Sequence, residues 1–259
     1  TGYEEAAAQG IIAGLNAALR AGENPEPFIL DRADGFIGVM IDDLTTQGTA
    51  EPYRMFTSRS EYRLKLRPDN ADQRLTGKAM ELGCVSAARV KAFKQKNEKM
   101  TACRSLFESL RASPNELAKY GIKVKHDGVI RNVLELLSFA NMERNSLSRV
   151  WPQLSSVDDA VYSQIETEAR YESYLQRQAA DIDAFRKDEE LLLPAGLDYA
   201  QIGGLSTEAR HKLEQFTPAT LGAASRISGV TPAAITALLR HVKRRSASQT
   251  ASTSAATLD

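Results

Sequence analysis

The stretch "DDAVYSQIETEARYESYLQRQAADIDAFRKDEE", residues 158–190, decides the fold class because it contains neither Gly nor Pro. Its apolar residues recur at the spacing of one helical face: Val161, Ile165, Ala169, Leu175, Ala179 and Ile182. We predict one continuous helix of about 30 residues, which is about 45 Å long. Helical spacing also dominates the rest of the chain, except in "YRLKLR", residues 62–67, where Tyr62, Leu64 and Leu66 alternate as on one face of a strand. The sequence therefore predicts a mainly α protein.

Another helix is predicted at residues 3–20. Thr1 and Glu4 have the spacing of a capping box, and Gly22 offers a C-terminal stop. Small residues form one stripe along this helix: Ala6, Gly10, Ala13 and Ala17. Because small side chains permit a close approach of another backbone, we expect this helix to pack tightly against a large surface.

The end of the chain is predicted to form a small helical bundle. Pro194 and Gly196 break the chain after the long helix. Three short helices are then signalled by Ser206, by Thr217-Pro218 and by Thr231-Pro232, since Ser and Thr are good N-caps and Pro suits the first helical position. The tail "SASQTASTSAATLD", residues 246–259, is nearly free of charged and large apolar residues, so we predict that it is disordered.

The composition is that of an ordinary globular chain, with 42% hydrophobic residues and 33 Lys and Arg against 33 Asp and Glu. No run of about 18 uncharged apolar residues occurs, and no signal peptide is apparent, so we predict no membrane contact and a cytosolic or organellar location. Cys84, Cys103 and the three scattered histidines lack metal-ligand spacing, which predicts reduced thiols and no metal site. The sequence also lacks dinucleotide, P-loop, zincin and nucleophile-elbow motifs, so it offers no complete active site.

The charge balance changes near residue 55, where we place a domain boundary. Acidic residues prevail before it, whereas basic residues prevail from Arg59 to Lys78. Within residues 51–78 the basic side chains interleave with Tyr53, Phe56 and Tyr62. Cations neutralise phosphates and aromatic rings stack on unpaired bases, so this segment suits a single-stranded RNA loop. A solvated basic face above core aromatics is the alternative interpretation.

Residues 220–245 resemble a helix-turn-helix, with two helices joined around Gly229. The second helix would begin at Thr231 and carry four basic residues between positions 240 and 245 for phosphates. Its start, "TPAAITALL", offers few polar groups to base edges, which favours a bundle that docks a partner over a DNA reader.

Three separated stretches resemble one family. They are "TGYEEAAAQG" at 1–10, "IDDLTTQGTAEPYRMFTSRSEYRLKLRPDNADQRLT" at 41–76 and "TLGAASRISGVTPAAI" at 220–235. Their order and spacing are similar to those in the C-terminal portion of the MnmG family, also called GidA, the tRNA uridine 5-carboxymethylaminomethyl modification enzymes. The resemblance implies the end of an FAD-binding Rossmann-like domain at 1–54, a helical tRNA-contacting domain at 55–192 and a small partner-docking bundle at 193–245.

The resemblance also implies an activity. Family members are FAD-dependent enzymes that act with the GTPase MnmE on the wobble uridine of certain tRNAs, with NADH, methylene-tetrahydrofolate and ammonium or glycine as co-substrates. The resemblance further implies that the protein is a homodimer and is located in the cytoplasm or, alternatively, in mitochondria. It implies no contact with DNA or a membrane. Because the dinucleotide fingerprint is missing here, we expect this chain alone to bind FAD weakly or not at all and to be inactive by itself. A non-catalytic module that binds nucleic acid or a partner is the alternative.

The resemblance assigns site residues on this chain. It places an FAD contact at Gln9, with Gly2, Tyr3 and Glu4 as further candidates at the mouth of the first helix. It implies tRNA contacts at six basic residues: Arg54, Arg59, Arg63, Lys65, Arg67 and Arg74. It implies docking of MnmE through apolar residues of the terminal bundle: Leu221, Ile227, Val230, Ile235 and Leu238. No catalytic residue can be assigned to the chain.

Overall fold

The structure, a computed structural model, describes residues 2–22, 26–49 and 51–255, and the side chains only as far as 244. Its α-helices are α1 (Tyr3–Ala21), α2 (Phe36–Thr46), α3 (Ala71–Glu81), α4 (Ala87–Ser109), α5 (Pro114–Lys119), α6 (Val133–Leu137), α7 (Arg144–Val150), α8 (Asp159–Glu190), α9 (Thr207–Phe216), α10 (Leu221–Ser225) and α11 (Pro232–Ala255). Short 3-10 helices lie at Thr57–Arg59, Pro68–Asn70, Pro152–Ser156 and Tyr199–Gln201. Strands β1 (Arg111–Ala112) and β2 (Arg131–Asn132) pair antiparallel, with Arg111 opposite Asn132. The prediction of a mainly α protein is confirmed.

The long helix is present as α8, whose 32 residues follow the predicted span closely. Its apolar face is buried near both ends, at Val161, Ile165 and Ala169 and again at Ile182. The predicted helix at 3–20 is also present, as α1.

The chain divides into two compact units. Unit 1 comprises Thr1–Glu61 and Ala179–Asp259, and unit 2 comprises Tyr62–Gln178, so one boundary falls within α8. The division differs from the predicted domains in that it joins the two ends of the chain in one unit. Ion pairs link the two segments of unit 1. Arg186 binds Asp31 and Asp34, and Arg226 binds Asp42.

Unit 2 has a core of its own. Phe107 and Tyr162 meet edge to face at its centre, with ring centroids 5.2 Å apart. Helices α6, α7 and α8 contribute most of the other fully buried side chains: Val133, Leu136, Leu137, Leu147 and Ile165. This core holds the helical segment together without residues from unit 1.

Unit 1 contains the terminal bundle, in which α9, α10 and α11 enclose an apolar cluster. Ser206 caps α9 by accepting a hydrogen bond from the Ala209 N–H at 3.1 Å, and Thr231 caps α11 ahead of Pro232, as predicted. The predicted helix start at Thr217-Pro218 is wrong. Thr217 instead ends α9 in the left-handed region, with φ of 41°. The cap of α10 is Thr220, whose hydroxyl accepts from the Ala223 N–H at 2.9 Å.

The predicted strand at residues 62–67 is also wrong. The N–H groups of Lys65 and Leu66 both donate to the Tyr62 carbonyl at 2.9 Å, which makes the segment a hydrogen-bonded turn. Leu66 is buried, while Tyr62 and Leu64 are half-buried. One turn is therefore enough to remove all three side chains at least partly from solvent. The alternation is too short to distinguish a turn from a strand.

The structure also differs from two predictions at the ends of the described chain, one at the cap of α1 and one at the tail. The N-cap of α1 is Gly2, which forms no side-chain cap, and Thr1 of the predicted capping box lies outside the described residues. The backbone of residues 246–255, where disorder is predicted, continues α11, because no Gly or Pro terminates the helix there. Residues 256–259 lie outside the described part of the chain.

Candidate functional site

A pocket of about 410 Å³ opens at the mouth of α1 within unit 1. Helix α2 contributes an apolar wall of Phe36, Ile37 and Met40. Glu4 and Arg54 contribute charges of opposite sign at its rim. The pocket can therefore take a flat, partly apolar group that also carries polar atoms.

Glu5 is the buried carboxylate of this pocket, with 6% of its surface exposed. Its Oε1 accepts a hydrogen bond from the Met55 N–H at 2.8 Å and lies 3.5 Å from Arg54 Nε. The Met55 hydrogen bond is the main reason that the pKa of Glu5 lies below its usual value. Its Oε2 has no hydrogen-bond partner among the described residues, which leaves one buried acceptor for a ligand donor. From the sequence, Glu5 is merely an acid in the first turn.

The predicted cofactor residues lie around this pocket to different degrees. Glu4 lines it, and Gln9 lies one turn further along α1, with its Nε2 4.0 Å from the Met40 sulfur. Gly2 lies beside Glu5, where a side chain would clash with Oε2. Tyr3 points away into solvent, with 94% of its surface exposed. The helix mouth thus brings Gly2, Glu4 and Gln9 near one pocket.

The outer face of α1 is largely uncovered in the described structure. The four small residues of its predicted stripe are all exposed: Ala6, Gly10, Ala13 and Ala17. Ile11 is 57% exposed beside them. Glu5 is the only buried residue of this helix, so the tight packing that the stripe predicts is not made by the described residues.

Arg32 forms a buried ion-pair centre beside the pocket wall, and the sequence offers no signal for it. Its guanidinium bonds to Asp43 at 2.6 Å, to Asp42 at 2.8 Å and to Glu61 at 2.9 Å. Burial lowers the pKa of Arg32, but the hydrogen bonds that its guanidinium donates to Asp43 and Glu61 raise it more, so the group stays charged. Asp43 also accepts a hydrogen bond from the Tyr53 hydroxyl at 2.8 Å.

Two of the six predicted tRNA-binding residues belong to unit 1. Arg54 has a side chain 62% exposed, although it pairs with Glu5. Arg59 is 41% exposed, stacks over the Tyr53 ring at 4.7 Å and donates to the Arg54 carbonyl at 2.9 Å. Both guanidiniums therefore reach solvent while their positions are fixed by the fold.

The other four lie in unit 2, where two serve the fold. Arg67 is bidentate to Asp69 and donates to the Leu64 carbonyl, with 12% of its side chain exposed. Arg74 donates to the Asn70 amide oxygen at 2.9 Å and to the Arg67 carbonyl at 3.1 Å. These bonds hold the turns of residues 64–70 in place.

Arg63 and Lys65 differ in their exposure. Lys65 is half-buried. Arg63 is exposed and makes no hydrogen bond or ion pair with any residue that the structure describes. Of the four predicted residues in unit 2, Arg63 is thus the one best placed to meet an external anion.

The predicted docking residues separate into core and surface. Leu221, Ile227 and Leu238 are at most 4% exposed and form the core of the bundle, so they cannot touch a partner in this conformation. Val230 and Ile235 are partly exposed at the edge of the same cluster. Docking stays a prediction for these two.

The cysteines and histidines form no metal centre among the described residues. Cys103 is buried in unit 2, and burial raises its pKa to about 11, whereas Cys84 is exposed. Among the same residues, no helix has both the length and the apolar character needed to cross a bilayer.

Three protein-family models match the chain. "Glucose inhibited division protein A" matches residues 1–25, the "tRNA modifying enzyme MnmG/GidA C-terminal helical domain" matches 87–179, and the "C-terminal helical bundle" of the same enzyme matches 181–258. The last two meet inside α8, close to the boundary between units 1 and 2.

Curated relatives and solved structures agree with this match. The chain is 45% identical over 245 residues to the tRNA uridine 5-carboxymethylaminomethyl modification enzyme MnmG of Granulibacter bethesdensis, covering 95% of this chain and 39% of the relative. It is 44% identical to the enzyme of the same name from Geobacter metallireducens, with 95% and 40% covered. A crystal structure of Aquifex aeolicus GidA superposes with a TM-score of 0.77 at 42% identity, over 93% of this chain and 38% of that one. The chain thus spans about two-fifths of the length of these relatives.

Proposed function

Because the chain belongs to the MnmG/GidA family, whose C-terminal helical domains it carries, we propose that it is the C-terminal part of an FAD-dependent tRNA-modifying enzyme. With the GTPase MnmE, that enzyme would add the carboxymethylaminomethyl group to C5 of the wobble uridine of certain tRNAs. The observation that carries the proposal is the match over 95% of the chain to enzymes with this name. We propose further that the enzyme is located in the cytoplasm and forms a homodimer, as the family resemblance implies.

In this proposal the mouth of α1 completes the cofactor site. The unpartnered Glu5 Oε2 and the apolar wall around Met40 fit the ring and hydroxyl edges of FAD, which carry hydrogen-bond donors. The negative charges of Glu4 and Glu5 make the pocket unsuited to the pyrophosphate of the cofactor. The flavin supplies hydride and one-carbon chemistry, and Gln9 orients its edge through an amide that both donates and accepts.

The exposed face of α1 supports the same proposal. A helix with a stripe of small residues and an exposed Ile11 is suited to packing against another layer. We propose that the FAD-binding domain covers this face, which keeps water away from the cofactor edge at Gln9.

The basic residues of the 51–78 segment would hold the tRNA. Arg54 and Arg59 reach solvent from unit 1, and Arg63 reaches it from unit 2. Arg67 and Arg74 act indirectly, since they fix the turns that carry Arg63 and Lys65. Val230 and Ile235 would contact MnmE.

Substitution of Arg63 tests the proposal in the 259-residue chain. Arg63→Glu replaces an unpaired cation by an anion, so we expect its Kd for a tRNA transcript to rise at least tenfold in a fluorescence anisotropy titration. The matched control is Arg149→Glu, which makes the same charge change at another exposed position of unit 2. It should change the Kd less than threefold.

Equal affinities of wild type and Arg63→Glu would remove the RNA-binding role from this segment. In the whole enzyme, the same substitution should raise the KM for tRNA and leave the reduction of bound flavin by NADH unchanged. Slower flavin reduction would show instead that Arg63 acts on the cofactor site.

A further inference from the structure

We infer that a groove between the Gly203–Gly204 turn and α11 binds the phosphodiester backbone of nucleic acid, which within the proposed function is the substrate tRNA. The groove lies in unit 1 and has a volume of about 600 Å³. The two glycines and five polar or basic side chains line it: Gln201, Gly203, Gly204, Thr236, Arg240, His241 and Arg244. That the nucleic acid is tRNA rests on the proposed function. That the groove binds phosphates rests on its lining residues alone.

The charge of the groove is one-sided. Arg240, His241 and Arg244 lie along one face of α11, and no acidic residue lines the groove among those described. None of the three forms an ion pair or hydrogen bond with another described side chain. Arg240 and Arg244 are one helical turn apart, about 6 Å along the axis, so they can engage neighbouring phosphates of one strand.

The opposite wall offers backbone donors. The N–H groups of Gly203 and Gly204 donate to no residue within the described part of the chain, and both glycines are exposed. Gly204 has φ of +93°, a conformation that L side chains rarely adopt. Without side chains at these positions, a phosphate oxygen can come close to the two amides while the arginines face it from α11.

The lining favours nucleic acid over a protein partner. It contains no Phe, Tyr or Trp, and its largest apolar member, Ile202, is only 2% exposed. Protein interfaces are typically enriched in aromatic residues and depleted of charge at their centre. Arginines and free backbone amides are, by contrast, the usual phosphate contacts.

The same geometry accounts for the helix-turn-helix pattern of residues 220–245. Helix α10 has only five residues, and the start of α11 offers base edges little beyond Thr236. The basic residues that follow suit contacts with phosphates, which position a nucleic acid without reading its sequence.

The test is the salt dependence of tRNA binding by the 259-residue chain. Arg240→Gln/Arg244→Gln removes two groove cations, so we expect the Kd for a labelled tRNA transcript to rise about tenfold and the slope of log K against log salt to fall by about 1.5. The matched control is Lys243→Gln/Lys187→Gln, which removes two exposed cations that do not line the groove. It should leave the slope within about 0.5 of that of the wild type.

Each outcome decides one point. If the groove variant and its control behave alike while Arg63→Glu still loses tRNA, the groove inference fails and the proposed function stands. If a DNA duplex of equal nucleotide content displaces tRNA from the groove more strongly than unlabelled tRNA does, the assignment to tRNA is overturned. If the groove variant keeps tRNA but no longer binds the GTPase MnmE, the groove is a protein-docking surface and the inference is wrong.

Discussion

At the scale of single residues, Arg32 carries a buried guanidinium on which three carboxylates converge. Its side chain is 5% exposed, and that of its partner Asp43 is 7% exposed. Removal of one member of a buried ion pair leaves the other charge without compensation. The stability of unit 1 around the pocket at the mouth of α1 therefore depends on this arginine more than on any exposed cation.

We predict that Arg32→Met lowers the free energy of unfolding by about 3–5 kcal/mol. The buried Asp43 then loses the cation at 2.6 Å and keeps only the longer contact with Arg59, at 3.7 Å, and the Tyr53 hydroxyl. Urea unfolding followed by circular dichroism measures this change. Arg20→Met, at the exposed end of α1, is the control and should cost less than about 0.5 kcal/mol. A loss below about 1 kcal/mol for Arg32→Met would mean that Arg59 or water compensates the charge of Asp43.

The residue scale also shows what could be read from the sequence. Arg67 pairs with Asp69, only two positions away, so the sequence alone suggests that this arginine forms an ion pair within the protein. Arg32 reaches Glu61 across 29 positions, and only the fold brings them together. The burial of Glu5 depends likewise on Met55, 50 positions away. Local partners are predictable, whereas distant ones are not.

At the scale of elements, two threonines between α9 and α10 have opposite roles. Thr217 ends α9 with a strained backbone, and Thr220 caps the start of α10. Thr217 is exposed in the left-handed region, with φ of 41°, which a β-branched residue adopts at a cost. Thr220 caps α10 and also donates to Glu189 Oε2 at 2.8 Å. The two threonines should therefore respond to substitution in opposite directions.

We predict that Thr217→Gly raises the free energy of unfolding by about 0.5–1 kcal/mol, since Gly adopts a positive φ without strain. Thr220→Ala should lower it by about 1–2 kcal/mol, since α10 loses its cap. Chemical unfolding of both variants measures the pair. A stabilising Thr220→Ala, or a destabilising Thr217→Gly, would contradict the cap positions that the structure shows.

Elements were predictable where a local rule sufficed. The span of α8 follows from the absence of Gly and Pro over a long apolar period, and that rule needs no tertiary contact. The start of α10 could not be placed from the sequence, because Thr217 and Thr220 both offer a hydroxyl and the bond of Thr220 to Glu189 is a tertiary contact. The segment 62–67 alternates like a strand, yet no described strand is available to pair with it, so it forms turns instead.

At the scale of the whole molecule, unit 1 consists of two separate chain segments, whereas unit 2 consists of one. Unit 1 is assembled from both ends of the sequence and joined by the carboxylates that bind Arg186 and Arg226. Unit 2 is continuous from Tyr62 to Gln178 and encloses a core from Met100 to Ala169. A continuous segment with a complete core meets the requirements for folding alone.

We therefore predict that residues 62–178 fold without the rest of the chain. The separate segment should show a helical circular dichroism spectrum and a single cooperative transition in urea. Leu147→Ala within it should lower the free energy of unfolding by about 2–5 kcal/mol, because Leu147 is fully buried in this core. Arg149→Ala, exposed on the same helix, is the control and should change it by less than about 0.5 kcal/mol. A helical spectrum with a gradual transition that Leu147→Ala leaves unchanged would show that the core needs unit 1 to become ordered.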